Sequence, residues 1–133
     1  MREIKFRAWI KDSKDVEEKD KNKMIELSGF DFGDPFGDLE FEDDGEFYCV
    51  HHRHCEVMQY TGITDKNENE IYEGDIISHE IMGYGSSIGV VEFRGGCFMV
   101  KTTKKIHPEH DGYVQILSPI LLGNIYENPE LVK

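Results

Sequence analysis

The sequence predicts a mainly β protein with little helix: a small SH3-like barrel or meander in the C-terminal half, with an N-terminal β extension. Three observations carry that expectation. Several short runs alternate apolar with polar residues, a period of two that a strand turns into one buried face. Gly, Asp and Asn cluster between those runs, where they supply turns. A Gly-Asp-Ile opening at Gly74-Asp-Ile76, a strand at Gly89-Val-Val91 and a hairpin at Gly95-Gly96 follow the order of elements in small barrels that curl one sheet on itself.

At the N-terminus, Ile4, Phe6 and Ala8 alternate with Lys5, Arg7 and Trp9, which reads as a strand with one face buried. Lys11 to Lys23 is almost wholly charged, with Val16 its single apolar residue, and reads as a solvated excursion without a face to bury. Met24-Ile-Glu-Leu27 is a short apolar run expected to pair antiparallel with the first strand, making the excursion the connection of a long hairpin.

From Gly29 to Glu46, acidic residues from Asp31 to Glu46 are interleaved with Phe30, Phe32, Phe36 and Phe41 and meet no compensating Lys or Arg. Pro35 and the internal glycines deny this stretch a regular helix. Two readings compete. One is a surface loop whose aromatics tack it onto the core. The other is an acidic-aromatic recognition segment in which Phe30, Phe32, Phe36, Phe41, Asp43 and Asp44 contact a basic, apolar partner surface. Asp43-Asp-Gly45 followed by Phe47-Tyr-Cys-Val50 reads as a turn into another strand.

Cys49-Val-His-His-Arg-His-Cys55 is the one metal-like cluster, since thiolates and imidazoles are the ligands zinc prefers. Cys49, His51, His54 and Cys55 are the candidate ligands. The spacing argues for strand or edge residues without metal: no C-x₂-C or H-x₃-H pair is present, and on a strand Cys49, His51 and Cys55 share a face while His52 and His54 point away. A cysteine nucleophile needs a base oriented by a third group, and spatial proximity of that kind is not written in a linear sequence.

The polar run Thr64 to Glu70, bracketed by Ile63 and Ile71, reads as a loop tip whose apolar flanks return to the core. In Tyr72-Glu-Gly-Asp-Ile-Ile77, Gly74 is suited to a positive φ and Asp75 to bonding nearby backbone, so a strand starts at Ile76. Gly83-Tyr-Gly-Ser-Ser87 reads as a turn, Ile88 to Phe93 as a strand, Arg94-Gly-Gly96 as a tight turn and Cys97 to Val100 as a third strand, together a meander. Lys101 to His110 is the main basic island and reads as a solvated loop. Gly112 to Leu117 alternates as a strand, Ile120 to Tyr126 reads as an apolar turn, and Asn128-Pro-Glu-Leu131 as one terminal helical turn capped by Asn128. Residues 1–57 are thus expected to form a strand-and-loop region and 58–133 a barrel-like domain, folding as one cooperative unit.

The blocks Ile4-Lys-Phe-Arg-Ala-Trp9, Met58-Gln-Tyr-Thr-Gly62 with Asp65-Lys-Asn67, Ile71-Tyr-Glu-Gly-Asp-Ile76, Gly89-Val-Val-Glu-Phe93 and Leu122-Gly-Asn-Ile-Tyr-Glu-Asn-Pro-Glu-Leu131 resemble the YopX family of small bacteriophage and prophage proteins. Gly29 to Glu46 and Thr102 to Gly112 match no block. The resemblance implies a phage-encoded, intracellular, mainly β protein, and it brings neither an activity nor catalytic residues.

With 133 residues the chain is long enough for a core without staples. Its 15 Lys and Arg against 27 Asp and Glu give a formal charge of −12, which repels phosphate backbones and disfavours direct nucleic-acid binding. No segment has a signal-peptide pattern or the length to span a bilayer, so the protein is expected in the bacterial host's cytoplasm, away from membranes. Cys49, Cys55 and Cys97 form no framework of spacings, so no structural disulfide is expected. The functional expectation is a non-catalytic accessory protein, without cofactor, that binds a protein partner or its own copies as a homo-oligomer. The alternatives are a metal-supported module or enzyme around Cys49 to Cys55, and an acidic nucleic-acid mimic that inhibits a host DNA-binding protein.

Overall fold

Alternating apolar residues build the first half of the chain into sheets. The computed structural model describes residues 3–30, 38–43 and 45–133, and internal contacts divide them into a unit Ile4–Gln59 and a unit built on Tyr60–Lys133. The first unit contains β1 (Phe6–Ile10), β2 (Lys23–Glu26), β3 (Gly29–Phe30), β4 (Asp38–Asp43), β5 (Glu46–His51) and the start of β6 (Cys55–Thr64). β1 pairs antiparallel with β2, Ala8 opposite Ile25, and with β6, Ala8 opposite Val57 and Ile10 opposite Cys55. The expected hairpin of β1 and β2 is therefore present.

The second sheet of this unit is antiparallel, in the order β3-β4-β5. Asp38-Leu-Glu-Phe-Glu-Asp43 is not loop: its Leu39 and Phe41 are both 1% exposed, and burying each such side chain contributes about 1.5–3 kcal/mol. They join Ala8, Ile10, Val16, Ile25 and Cys55 in one core cluster. Val16 corrects the reading of the excursion, which does bury a side chain. The surrounding charges pair locally, Lys21 with Glu18 at 2.8 Å and Asp12 at 3.3 Å. The Lys11 and Asn22 N–H groups donate to His54 and Ile10 carbonyls at 2.8 Å, so both ends of the excursion are tied down.

The second unit contains the end of β6, then β7 (Glu70–Tyr72), β8 (Asp75–Ile81), β9 (Gly85–Arg94), β10 (Cys97–Thr102), β11 (Tyr113–Val114) and β12 (Ile120–Asn124). Its main sheet runs β11-β10-β9-β8-β12, so the expected meander of β8, β9 and β10 is present, extended at both edges into a curled half-barrel. Ile71, Ile77, Val91 and Val100 form its buried cluster. The fold is mainly β, and its helical content among the described residues is short 3₁₀ turns.

Three local expectations change here. The strand read over Gly112 to Leu117 is only Tyr113–Val114, because the Leu117 carbonyl leaves β10 to accept the Glu80 N–H on β8 at 3.0 Å. Ile120–Asn124 is a strand rather than a turn, paired with β8 across a register shift between Leu121 and Gly123. The C-terminal turn Pro129–Val132 is 3₁₀, and Asn128 does not cap it with its side chain. Its Oδ1 accepts the Asn124 N–H at 3.2 Å instead.

Candidate functional site

Residues of the excursion and of the β5 end line a polar hollow of about 460 Å³ in the first unit, with Asp15, Glu17 and Asp20 against Cys49, His51, Arg53 and His54. Three of the four residues considered as metal ligands thus meet at one hollow, and Cys55 does not. The 3₁₀ turn His52–His54 interrupts the alternation and starts β6 in the other sheet, which turns Cys55 into the core. Burial pushes its thiol up to about 11, opposed by the Lys11 charge and reinforced by Glu56, so the thiolate that binds metal or attacks carbon is disfavoured. His51 Nδ1 accepts the Arg53 N–H at 3.2 Å, and its ring stacks on His52 at 4.5 Å between centroids. Arg53 Nε donates to His54 Nε2 at 3.5 Å. Among the described residues no group of three or more His, Cys, Asp or Glu is placed to hold a metal ion.

Of the acidic-aromatic residues, Phe30 lies on β3 and Asp43 on β4, while Phe32, Phe36 and Asp44 fall outside the described residues. Phe41 is a core residue, with Lys23 Nζ 5.6 Å from its ring centroid. A ring so enclosed offers no surface to a partner, which corrects its place among the contact residues.

The second unit holds a groove that the sequence reading passed over as turns. A hollow of about 440 Å³ is lined by Ile81, Met82, Tyr84, Met99, Ile106 and Leu117, with Glu80, His107 and His110. It shares Glu80, Ile81, Met82 and Leu117 with a second hollow of about 340 Å³. Met82 is 84% exposed and Tyr84 52%. Large apolar side chains in a Gly-rich turn, where polar residues are usual, were the signal available in the sequence.

The wall of the groove is fixed by charges. Tyr113 lies under the Arg94 guanidinium at 4.1 Å and the Lys101 ammonium at 4.5 Å, contacts worth about 0.5–1 kcal/mol each at exposed sites. Lys101 Nζ also donates to the Asp111 carbonyl. The Asp111 carboxylate accepts the Tyr113 N–H at 3.0 Å, and that bond, ahead of the His110, Arg94 and Lys101 charges, holds it below the usual carboxylate range. His107 and His110 accept the Glu109 and Gly112 N–H groups through Nδ1 at 3.2 and 2.9 Å. Lys104 Nζ donates to the Tyr84 carbonyl at 3.3 Å, placing a cation beside the exposed turn. Glu80 is the one formally charged residue in the groove's lining, and the Lys104 cation stands beside its exposed turn.

The profile of the YopX protein family matches residues 5–133. The chain belongs to the YopX family. Its fold is similar to the crystal structure of protein EF1440 from Enterococcus faecalis, at 26% identity and a TM-score of 0.54, with 100% of each chain covered. Protein yopX from Bacillus subtilis shares the fold at 18% identity and the same TM-score of 0.54, over 97% of this chain and 98% of that one. No curated protein matches.

The residues that carry the YopX likeness hold the fold. Thr61 Oγ1 donates to the Ile71 carbonyl at 2.7 Å and accepts the Ile63 N–H at 3.1 Å, shaping the irregular pairing of β6 with β7. Asp65 accepts the Asn67, Asn69 and Leu121 N–H groups at 2.9 Å. Gly74 takes a φ of +83°, and Asp75 accepts the Tyr72 N–H at 2.8 Å, closing the turn into β8. A Cβ on Gly89 would stand 2.5 Å from Val100 Cγ1 and 2.7 Å from the Lys101 carbonyl, so β9 and β10 need glycine there. Asn124 Oδ1 accepts the Tyr126 and Glu127 N–H groups at 3.0 and 2.9 Å.

Proposed function

We propose that this YopX-family chain is a non-catalytic, phage-encoded accessory protein that works by binding, and that the groove beside Met82 and Tyr84 receives an apolar segment of a protein partner. The carrying observation is the pairing of two strongly exposed apolar side chains with an apolar hollow behind them. Exposed apolar surface of this kind is costly to keep in water and marks interaction sites more often than isolated apolar residues do. Met82 and Met99 add adaptable, polarisable contacts of the sort found at surfaces that accept varied side chains.

The test is selection of a random peptide library on the immobilised chain, followed by binding to Met82→Asp. Substituting a side chain that exposed leaves the core untouched, and circular dichroism checks it. Peptides sharing apolar or aromatic anchors are expected, with affinity at least tenfold weaker for the variant. An unenriched library, or binders indifferent to the substitution, overturns the reading.

A further inference from the structure

We propose that the groove takes a basic-apolar peptide segment of a partner protein, with an apolar or aromatic anchor in the hollow beside Met82 and a neighbouring cationic side chain paired to the Glu80 carboxylate. This rests on the reading of the groove as a peptide site and names the chemistry of its ligand.

Glu80 stands where an occupant covers it. It lines both the hollow of about 440 Å³ and the adjoining one of about 340 Å³, and it is the one formally charged residue in either lining. Met82 follows two residues later and lines both hollows with it, as do Ile81 and Leu117. Glu80 also borders a third hollow of about 320 Å³, where the added Asp65 and Lys66 offset each other in formal charge. Among the described residues no cation pairs with the Glu80 carboxylate: Lys104, beside the turn, bonds to the Tyr84 carbonyl, and Lys101 bonds to the Asp111 carbonyl.

The cost of covering that carboxylate selects the ligand. In the free chain Glu80 is exposed and water solvates it. An apolar anchor seated against Ile81, Met82 and Leu117 displaces that water, and an ionised group covered without a partner costs free energy. Purely apolar peptides bear that cost, and acidic ones add repulsion to it. A peptide with a cation next to its anchor replaces the lost water by a charge-assisted hydrogen bond. Arginine fits better than lysine, because its planar group can engage both carboxylate oxygens and can lie on the ring of Tyr84, which is 52% exposed. The chain's formal charge of −12 favours the same ligand during approach.

The experiment selects one random peptide library in parallel on the wild-type chain and on Glu80→Gln, then measures the most enriched wild-type peptide by fluorescence polarisation. Glu80 is exposed, so the substitution spares the core, and circular dichroism checks it. The wild type is expected to enrich arginine beside an apolar or aromatic anchor, and Glu80→Gln to lose that preference. The enriched peptide should bind Glu80→Gln about tenfold more weakly. It should also bind more weakly to Met82→Ser, which removes the apolar contact without adding charge, and its affinity should fall more steeply with salt on the wild type than on Glu80→Gln. Cationic peptides that weaken with salt but bind the wild type and Glu80→Gln alike would assign the cation to the chain's overall negative charge and overturn the pairing with Glu80. Peptides with apolar anchors and no cation, weakened by Met82→Ser alone, overturn it too and leave the groove reading standing. A library enriched on neither chain overturns both.

Discussion

At the scale of single residues, Asp65 shows how a loop that looks disposable in sequence can be structural. Its carboxylate is drawn down to about 2, first by the Leu121 N–H and then by the Asn69 and Asn67 groups, against an opposing effect of burial. Because the folded pKa lies below the ordinary value, this contribution is complete above the usual carboxylate range and is lost as pH falls towards about 2. Asp65→Asn should therefore flatten the acid-unfolding profile between roughly pH 4 and 2 and lower the melting temperature at pH 7; an unchanged profile would show that the loop does not anchor β12. The tip itself was legible from its polar run and flanking Ile63 and Ile71, but its partner Leu121, 56 residues away, was not. His79 makes the opposite case: it is 1% exposed, and neither ring nitrogen has a hydrogen-bond partner of acceptable geometry. Burial lowers its pKa, partly offset by the Glu80 backbone. The unfolded chain then binds the proton more readily, so stability is full above the ordinary histidine pKa and declines as pH falls below it. His79→Leu, which removes unsatisfied polar atoms at similar size, should hold or raise the melting temperature at pH 7 and shrink the loss between pH 7 and 5.

At the scale of elements, what was readable depended on whether period-two alternation stood apart from other signals. β1 was legible because Ile4, Phe6 and Ala8 alternate with Lys5, Arg7 and Trp9, and β2 as the short apolar run Met24-Ile-Glu-Leu27; Ala8 and Ile25 are buried where the two strands pair. β4 has the same alternation in Leu39 and Phe41, but the acidic residues around it fit a solvated loop equally well. β12 was obscured because Ile120-Leu-Leu122 runs without alternation and an extra residue, Leu122, shifts its register against β8. Chemistry at the candidate site was least legible, since the groove assembles turns and loop residues from 80 to 117 that share no motif. Two substitutions test the element assignments by urea unfolding. Phe41→Ala should cost about 3–5 kcal/mol if the ring is core, whereas a ring waiting for a partner would cost the free chain little. Gly89→Ala should cost about 1–3 kcal/mol by forcing β9 from β10, and a neutral result would contradict the close approach.

At the scale of the molecule, the three thiols report on folding, because Cys49 and Cys97 are exposed and Cys55 is buried. A thiol reagent at mildly alkaline pH should modify two cysteines quickly and Cys55 only when the first unit opens, since burial both shields it and keeps it protonated. The rate at Cys55 then measures that opening, and Phe41→Ala, at about 3–5 kcal/mol, should accelerate it on the order of a hundredfold or more. The same reagent decides whether the two units unfold together. β6 runs unbroken across the division, its first residues paired with β1 and its later ones with β7. Melting either sheet takes pairing partners from that one strand, and a strand cannot lose half its ladder without exposing the backbone groups of the rest. Asp65→Asn, which weakens only the second unit, should therefore also accelerate modification of Cys55; a rate identical to wild type would show that Ile4–Gln59 opens on its own and that β6 transmits no cooperativity.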